Sequence, residues 1–234
     1  MIRWGIFALA TAGVILLWLQ VARVEKLRYS ITVELRTPDG VRQGVGVQEL
    51  VSHPRIPWLP GGDAHHVEFK GEAVPIEVAD GIVFFIGDAD WLLSQALARG
   101  EVKPPVDTED AQSWPRSRPK MMRALRRAQS TAILRARDLP PSIGWRGAGF
   151  IHFADSRDPT TLTRTDAADL AMALGPGVEL QAIRFEVTDA PVSYRLETWL
   201  PWLGNLKRYR RDPNSRFSST LPADIRTLRD SMDL

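Results

Sequence analysis

Hydrophobic and polar positions divide the chain at once into two regimes. Residues 4–22, WGIFALATAGVILLWLQVA, hold no charged side chain. At a helical rise of about 1.5 Å per residue such a run spans about 28 Å, close to the roughly 30 Å hydrocarbon core of a bilayer. Trp4 and Trp18 lie near its ends, with Arg3 before it and Arg23, Lys26 and Arg28 after it. Aromatic ends flanked by basic residues are the pattern of interfacial anchoring. The run is therefore predicted to be a transmembrane helix, with Trp4, Phe7, Leu16, Leu17, Trp18 and Leu19 as its anchoring side chains. A cleaved signal fits less well, because Ala10-Thr11-Ala12 lies inside the apolar run and Gln20 stands where a small residue is wanted. A buried core helix is the other alternative, and the terminal position and basic flanks fit it poorly.

Beyond the run the period falls to two. In residues 29–36, Tyr29, Ile31, Val33 and Leu35 alternate with Ser30, Thr32, Glu34 and Arg36, which predicts a half-buried strand. Pro38-Asp39-Gly40 supplies a turn, and residues 43–51 pair back as an antiparallel hairpin. Prolines and glycines make 53–62 a loop that carries Trp58. Strands at 73–78 and 82–86 flank Ala79-Asp80-Gly81, and Asp-Gly between apolar runs is a strong hairpin signal. Asp88 or Asp90 can cap a helix over 91–98 that Gly100 ends. Residues 103–119, rich in proline and charge, read as an exposed excursion.

The second half adds a long basic helix from Pro119 towards Arg137, a strand at 148–154, a polar connection at 155–163 and a helix at 167–174. Thr165-Asp166 caps that helix and Gly175-Pro176-Gly177 ends it. Residues 178–188 alternate with one interruption, which predicts a strand with a bulge. The fold class expected is α+β: one N-terminal transmembrane helix, then a globular domain of antiparallel β-hairpins and three or so helices. The expected divisions are an anchor with its basic flank at 1–28, the globular domain at 29–204 and a basic, largely extended tail at 205–234. A short helix over 223–232 belongs to the tail.

Composition agrees with a folded domain: 44% of residues are hydrophobic and 25% charged, enough for a real core at this length. Cysteine is absent, so neither disulfides nor thiol chemistry operate. The net charge of +2 is unevenly spread. Residues 1–30 carry four basic and one acidic side chain, 31–113 six and fourteen, and 114–234 twenty and thirteen. Residues 116–137 concentrate the basic excess, with eight basic side chains and no acidic one. On a helix, Met121, Met122, Leu125, Ala128, Ala132, Ile133 and Ala136 share an apolar arc. Lys120, Arg123, Arg126, Arg127 and Arg137 gather opposite, and Leu134 is the exception.

Two readings of that helix stand side by side. It packs on the core and solvates its outer face, or Arg123, Arg126 and Arg127 contact anionic lipid or an acidic partner. Trp199 and Trp202, followed by Arg208, Arg210 and Arg211, form a second candidate contact region beside the plain reading that the two indoles close the core. No nucleic-acid recognition motif accompanies these charges, so nucleic acid is not expected as a partner.

Catalytic signals are scarce. The sequence holds no glycine-rich phosphate loop, no G-x-S-x-G elbow and no H-E-x-x-H. His53, the Asp63–Glu68 segment with His65 and His66, and His152 are the sites to test for a metal. Adjacent histidines on an extended segment point to opposite faces, which disfavours one shared ion. No catalytic residue, metal ligand or cofactor is predicted, and the apolar run offers no axial histidine.

Residues 150–202, FIHFADSRDPTTLTRTDAADLAMALGPGVELQAIRFEVTDAPVSYRLETWLPW, together with the early YSITVELRTPDG, resemble an uncharacterised family of alphaproteobacterial single-pass membrane-anchored proteins with no known activity. The resemblance implies a bacterial inner-membrane setting. The basic residues flanking residues 4–22 are nearly balanced and lean slightly towards a cytoplasmic domain; short-tailed single-pass bacterial anchors favour a periplasmic one, which is the expectation here. The function expected is that of a non-enzymatic accessory or assembly subunit of an inner-membrane complex, respiratory or photosynthetic, meeting integral-membrane partners. A tethered periplasmic binding module for a ligand or anionic lipid is the alternative, and a metal-dependent enzyme a third.

Overall fold

Alternation in the early strand runs further than its sequence signal. Strand β1 covers Glu25–Thr37, and Leu27, Tyr29, Ile31, Val33 and Leu35 are all fully buried. A turn that ends at Gly40, whose φ of +117° suits glycine, leads into β2, Gly40–Pro54. The computed structural model describes residues 24–54, 65–79, 81–87, 92–95, 97, 114–139, 148–203 and 228. Along these residues follow β3 (His65–Lys70), β4 (Val74–Val78), β5 (Gly81–Ile86), helix α1 (Trp114–Ala128), β6 (Thr131–Leu134), β7 (Gly149–Phe153), β8 (Leu162–Thr165), helix α2 (Leu170–Leu174) and β9 (Glu179–Val187). The domain is α+β, with antiparallel sheets and few helices.

The strands form two sheets, one in the order β3-β2-β1-β9-β6 and one in the order β4-β5-β7-β8. The odd-numbered side chains of β1 meet Val74 and Ile76 of β4, Val83 and Phe85 of β5 and Phe150 of β7 in one core, joined by Met121, Met122 and Leu125 of α1. Gly44 and Gly46 let the two sheets approach. A Cβ on Gly44 would overlap the Pro75 carbonyl, and one on Gly46 would lie 3.0 Å from Val74 Cγ2. Strand β5 reads as a continuous apolar run because both its faces are covered. Phe84 and Ile86 join Ile151, Leu196, Leu200, Trp202, Leu203 and Leu228 in a second core on the far side of the four-stranded sheet.

Residues 188–203 act as a strap joining the two sheets. The Thr188 N–H donates to Arg28 O at 3.1 Å, and Ser193 N–H donates to Val47 O at 3.0 Å, so the segment crosses the outer face of β1 and β2. The N–H groups of Arg195 and Leu196 then donate to the carboxylate of Glu72, which is buried just before β4. Beyond it Trp202 Nε1 donates to Ser156 O at 2.8 Å, and its ring meets Phe153 edge-on at 5.7 Å. Leu228 is fully buried against this layer, and its carbonyl accepts from Ala73 N–H at 2.7 Å.

Several expected boundaries differ. Strand β1 begins at Glu25, ahead of Tyr29, because Glu25 and Leu27 continue the buried phase. The long basic helix is two elements. Helix α1 starts at Trp114, with Pro119 inside it, and ends at Ala128; Gln129 takes φ +48° and the chain continues as β6 along the edge of β9. That pairing buries Ala132 and Leu134 and leaves Ile133 50% exposed, which explains why Leu134 did not fit the helical arc. The polar connection contains a short 3-10 turn and the start of β8, a Thr-rich strand whose only buried residue is Thr165. The helix at 167–174 opens as a 3-10 turn, and Asp166 makes no side-chain capping bond to it. The expected bulge is present: β9 slips one residue between Glu34 and Leu35 of β1, leaving Gln181 as the extra residue.

Leu92, Leu93 and Leu97 are helical and buried in the main core, inside the expected helix at 91–98. The predicted anchor with Trp4, Phe7, Leu16, Leu17, Trp18 and Leu19, and the tail residues Arg208, Arg210 and Arg211, lie outside the described residues. Among the described residues no helix is long and apolar enough to cross a membrane.

Candidate functional site

The densest convergence of charge lies at the start of β1. Glu25 shares the inward phase of Leu27 and Tyr29, so its carboxylate turns beneath helix α1, where it is 8% exposed. Two guanidinium groups from that helix meet it. Arg123 Nη1 donates to Oε1 at 2.8 Å and Arg126 Nη2 to Oε2 at 3.3 Å, one donor for each oxygen. Arg126 Nη1 also donates to the Lys26 carbonyl at 3.0 Å. The helix is thereby tied to both the side chain and the backbone of the first turn of the central strand. On the opposite face of β1, Arg28 Nε donates to Glu49 Oε2 at 2.6 Å, and Arg28 Nη1 reaches Asp189 O at 3.5 Å.

The basic face of α1 is divided between two tasks. Lys120, Arg123 and Arg127 are spaced i, i+3 and i+7 and share one stripe of the helix. Arg123 and Arg126 are drawn to Glu25; Lys120, Arg127 and the neighbouring Lys26 are exposed. Basic and acidic side chains interleave at this end of the five-stranded sheet: Lys26, Arg28, Lys70, Arg123 and Arg126 stand with Glu25, Glu49, Glu68, Glu186 and Asp189, and Lys120 and Arg127 are exposed on α1.

Strand pairing also places the histidines. His53 of β2 lies across from His66 of β3, and His53 Nε2 sits 3.2 Å from Glu68 Oε2. That hydrogen bond, helped by Lys70, holds the Glu68 carboxyl below its usual range. His152 is on β7 between Val83 and Thr163, away from this pair, and burial pushes its pKa down. Among the described residues no group of three His, Cys, Asp or Glu is placed to hold a metal ion.

Comparison of the chain with protein-family models, with curated proteins and with solved structures finds no match.

Of the contact residues expected from sequence, Arg123 and Arg126 come together on Glu25 at the start of β1, and Arg127 is exposed on the same helix. Trp202 lies in the second core with Trp199 packed partly buried against it, at a different place from the arginines. Sequence reasoning missed Glu25 and Glu72. The first had a signal, because Glu25 is in phase with Tyr29 when the alternation is read backwards. Glu72 had none, since its partners Arg195 and Leu196 lie more than a hundred residues away.

Proposed function

We propose that the chain is a non-enzymatic accessory or assembly subunit of a bacterial inner-membrane complex, held by a transmembrane helix over residues 4–22, with its domain on the periplasmic side. One observation carries the reading. The central strand of the five-stranded sheet starts at Glu25 and is clasped there by Arg123 and Arg126, so only Arg23 and Val24 separate the apolar run from a rigid element. The three extended steps from Ala22 to Glu25 reach at most about 11 Å. A domain joined so closely is presented to its surroundings at a set height and orientation, which suits a subunit that acts by lateral contact. The lack of motifs for nucleophilic, metal or phosphate chemistry in the sequence supports a non-catalytic role.

Extraction of the tagged full chain from its native membrane in mild detergent, followed by mass spectrometry, tests the proposal. Stoichiometric recovery of one or more integral-membrane proteins is expected. Recovery of the chain alone, as a monomer, would overturn it.

A further inference from the structure

We infer that the end of the domain formed by Lys26, Lys120 and Arg127 is a docking face for anionic phospholipid headgroups of the bilayer that holds residues 4–22; this rests on the anchored reading above. Three observations lead there. First, β1 begins within about 11 Å of the apolar run, three extended steps from Ala22 to Glu25. The polar headgroup layer is itself about 5–7 Å thick on each side, and the field of an anionic surface decays over a Debye length of about 8 Å. The start of β1 therefore lies within the combined depth of the headgroup layer and that field.

Second, helix α1 is fastened to it. Arg123 and Arg126 bind the Glu25 carboxylate, and Arg126 also binds the Lys26 carbonyl. These two arginines are positioning residues: their charge is largely answered by Glu25 and by the backbone, and their geometry brings the stripe of α1 alongside the strand. Third, the basic side chains left on that stripe, Lys120 and Arg127, are exposed, and so is Lys26 at the end of β1, on the sheet face away from α1. A cluster of exposed cations beside a bilayer is complementary to phosphate-bearing headgroups, and each such side chain strengthens binding about fivefold. Of the neighbouring carboxylates, Glu25 and Glu49 are engaged by arginines and Glu68 by His53 and Lys70; Glu186 and Asp189 are exposed near the start of β1 and offset part of the charge, two carboxylates against three cations.

The absence of cysteine makes the test direct. Ala128→Cys, at an exposed position next to Arg127, gives a single labelling site on the full chain. The labelled protein is placed in nanodiscs of phosphatidylcholine alone, or of phosphatidylcholine mixed with phosphatidylglycerol, each containing a headgroup nitroxide quencher. Stronger quenching is expected in the phosphatidylglycerol discs. Lys26→Gln, Lys120→Gln and Arg127→Gln should each lower the ratio of docked to undocked domain about fivefold. Together they should return quenching to the phosphatidylcholine level, as should high salt. The three positions are exposed, and an unchanged circular-dichroism melt confirms that the triple variant is folded.

Equal quenching in the two lipids, or quenching untouched by the triple replacement, would overturn the inference. Loss of a co-purifying protein from the triple variant with unchanged quenching would also overturn it, by making the face a protein interface. The discs hold no partner, so failure of the subunit reading shows only in native extraction. Failure of the full chain to enter discs would instead remove the anchor and this inference with it.

Discussion

The clasp at Glu25 can be tested by asking which partner is harder to lose. The carboxylate is 8% exposed, whereas Arg123 and Arg126 are 37% and 48% exposed. Removing a partner from a buried charge leaves that charge without compensation, and in a fully buried pair this costs about 3–5 kcal/mol. Here water reaches both guanidinium groups, and Arg126 still faces the carboxylate, so screening reduces the cost. Arg123→Ala should therefore destabilise by about 2 kcal/mol. Glu25→Gln removes the buried charge itself, keeps one acceptor and returns two half-exposed arginines to water, for a loss of about 1 kcal/mol. At roughly 2–4 °C per kcal/mol for a chain of this size, melting temperatures should fall by about 4–8 °C and about 2–4 °C respectively. The assay is thermal unfolding of the full chain in detergent, followed by circular dichroism. A double-mutant cycle should return a coupling between the two sites of at least about 1 kcal/mol. Equal losses for the two single variants, with no coupling, would refute the view that the buried carboxylate is the costly member of the pair.

Three further outcomes follow from particular contacts. Ile133→Thr should leave stability within about 0.5 kcal/mol, whereas Leu134→Ala should cost about 2–5 kcal/mol, the order a strand demands and a continuous basic helix would reverse; urea titration decides it. Glu72→Ala removes the acceptor for the Arg195 and Leu196 N–H groups at a cost of about 1–3 kcal/mol for each donor left buried. Limited proteolysis should then cut within 188–203 faster than in the parent chain. For His152 the folded state favours the neutral ring, since burial lowers its pKa from 6.5. Below that pH the unfolded chain takes up a proton that the folded one resists, so stability is complete above 6.5 and declines as pH falls beneath it. His152→Phe should flatten that part of the melting profile, and an unchanged slope would refute the assignment.

Legibility varied with the range of the interaction. Residues 29–36 declared a strand because one face is buried, and burial of one face writes a period of two into the side chains. Gly40 marked its turn, and the alternation, broken between Ala182 and Phe185, announced a bulge that the strand register places at Gln181. The short segment Thr131–Leu134 misled because four residues satisfy both periods, and the helical arc could absorb Ala132 and Ile133 without complaint. Only Leu134 protested, and its burial against the edge of β9 gives the reason. For the candidate docking face, composition disclosed a basic helix but not which of its arginines are already engaged.

Residues 25–37 were determined locally: their alternating polarity specifies an extended segment and the face it buries, wherever that segment is placed. The pairing of β1 with β9, the near-overlap of Gly44 with Pro75 and the meeting of Glu25 with Arg123 were decided only by the tertiary structure. These contacts join residues far apart in the chain, and periodicity carries information about a residue's own neighbours along the backbone, not about the identity of the group waiting across the core. For the same reason the basic stripe of α1 could be read from sequence, while its division into clasped arginines and exposed lysine and arginine had to await the fold.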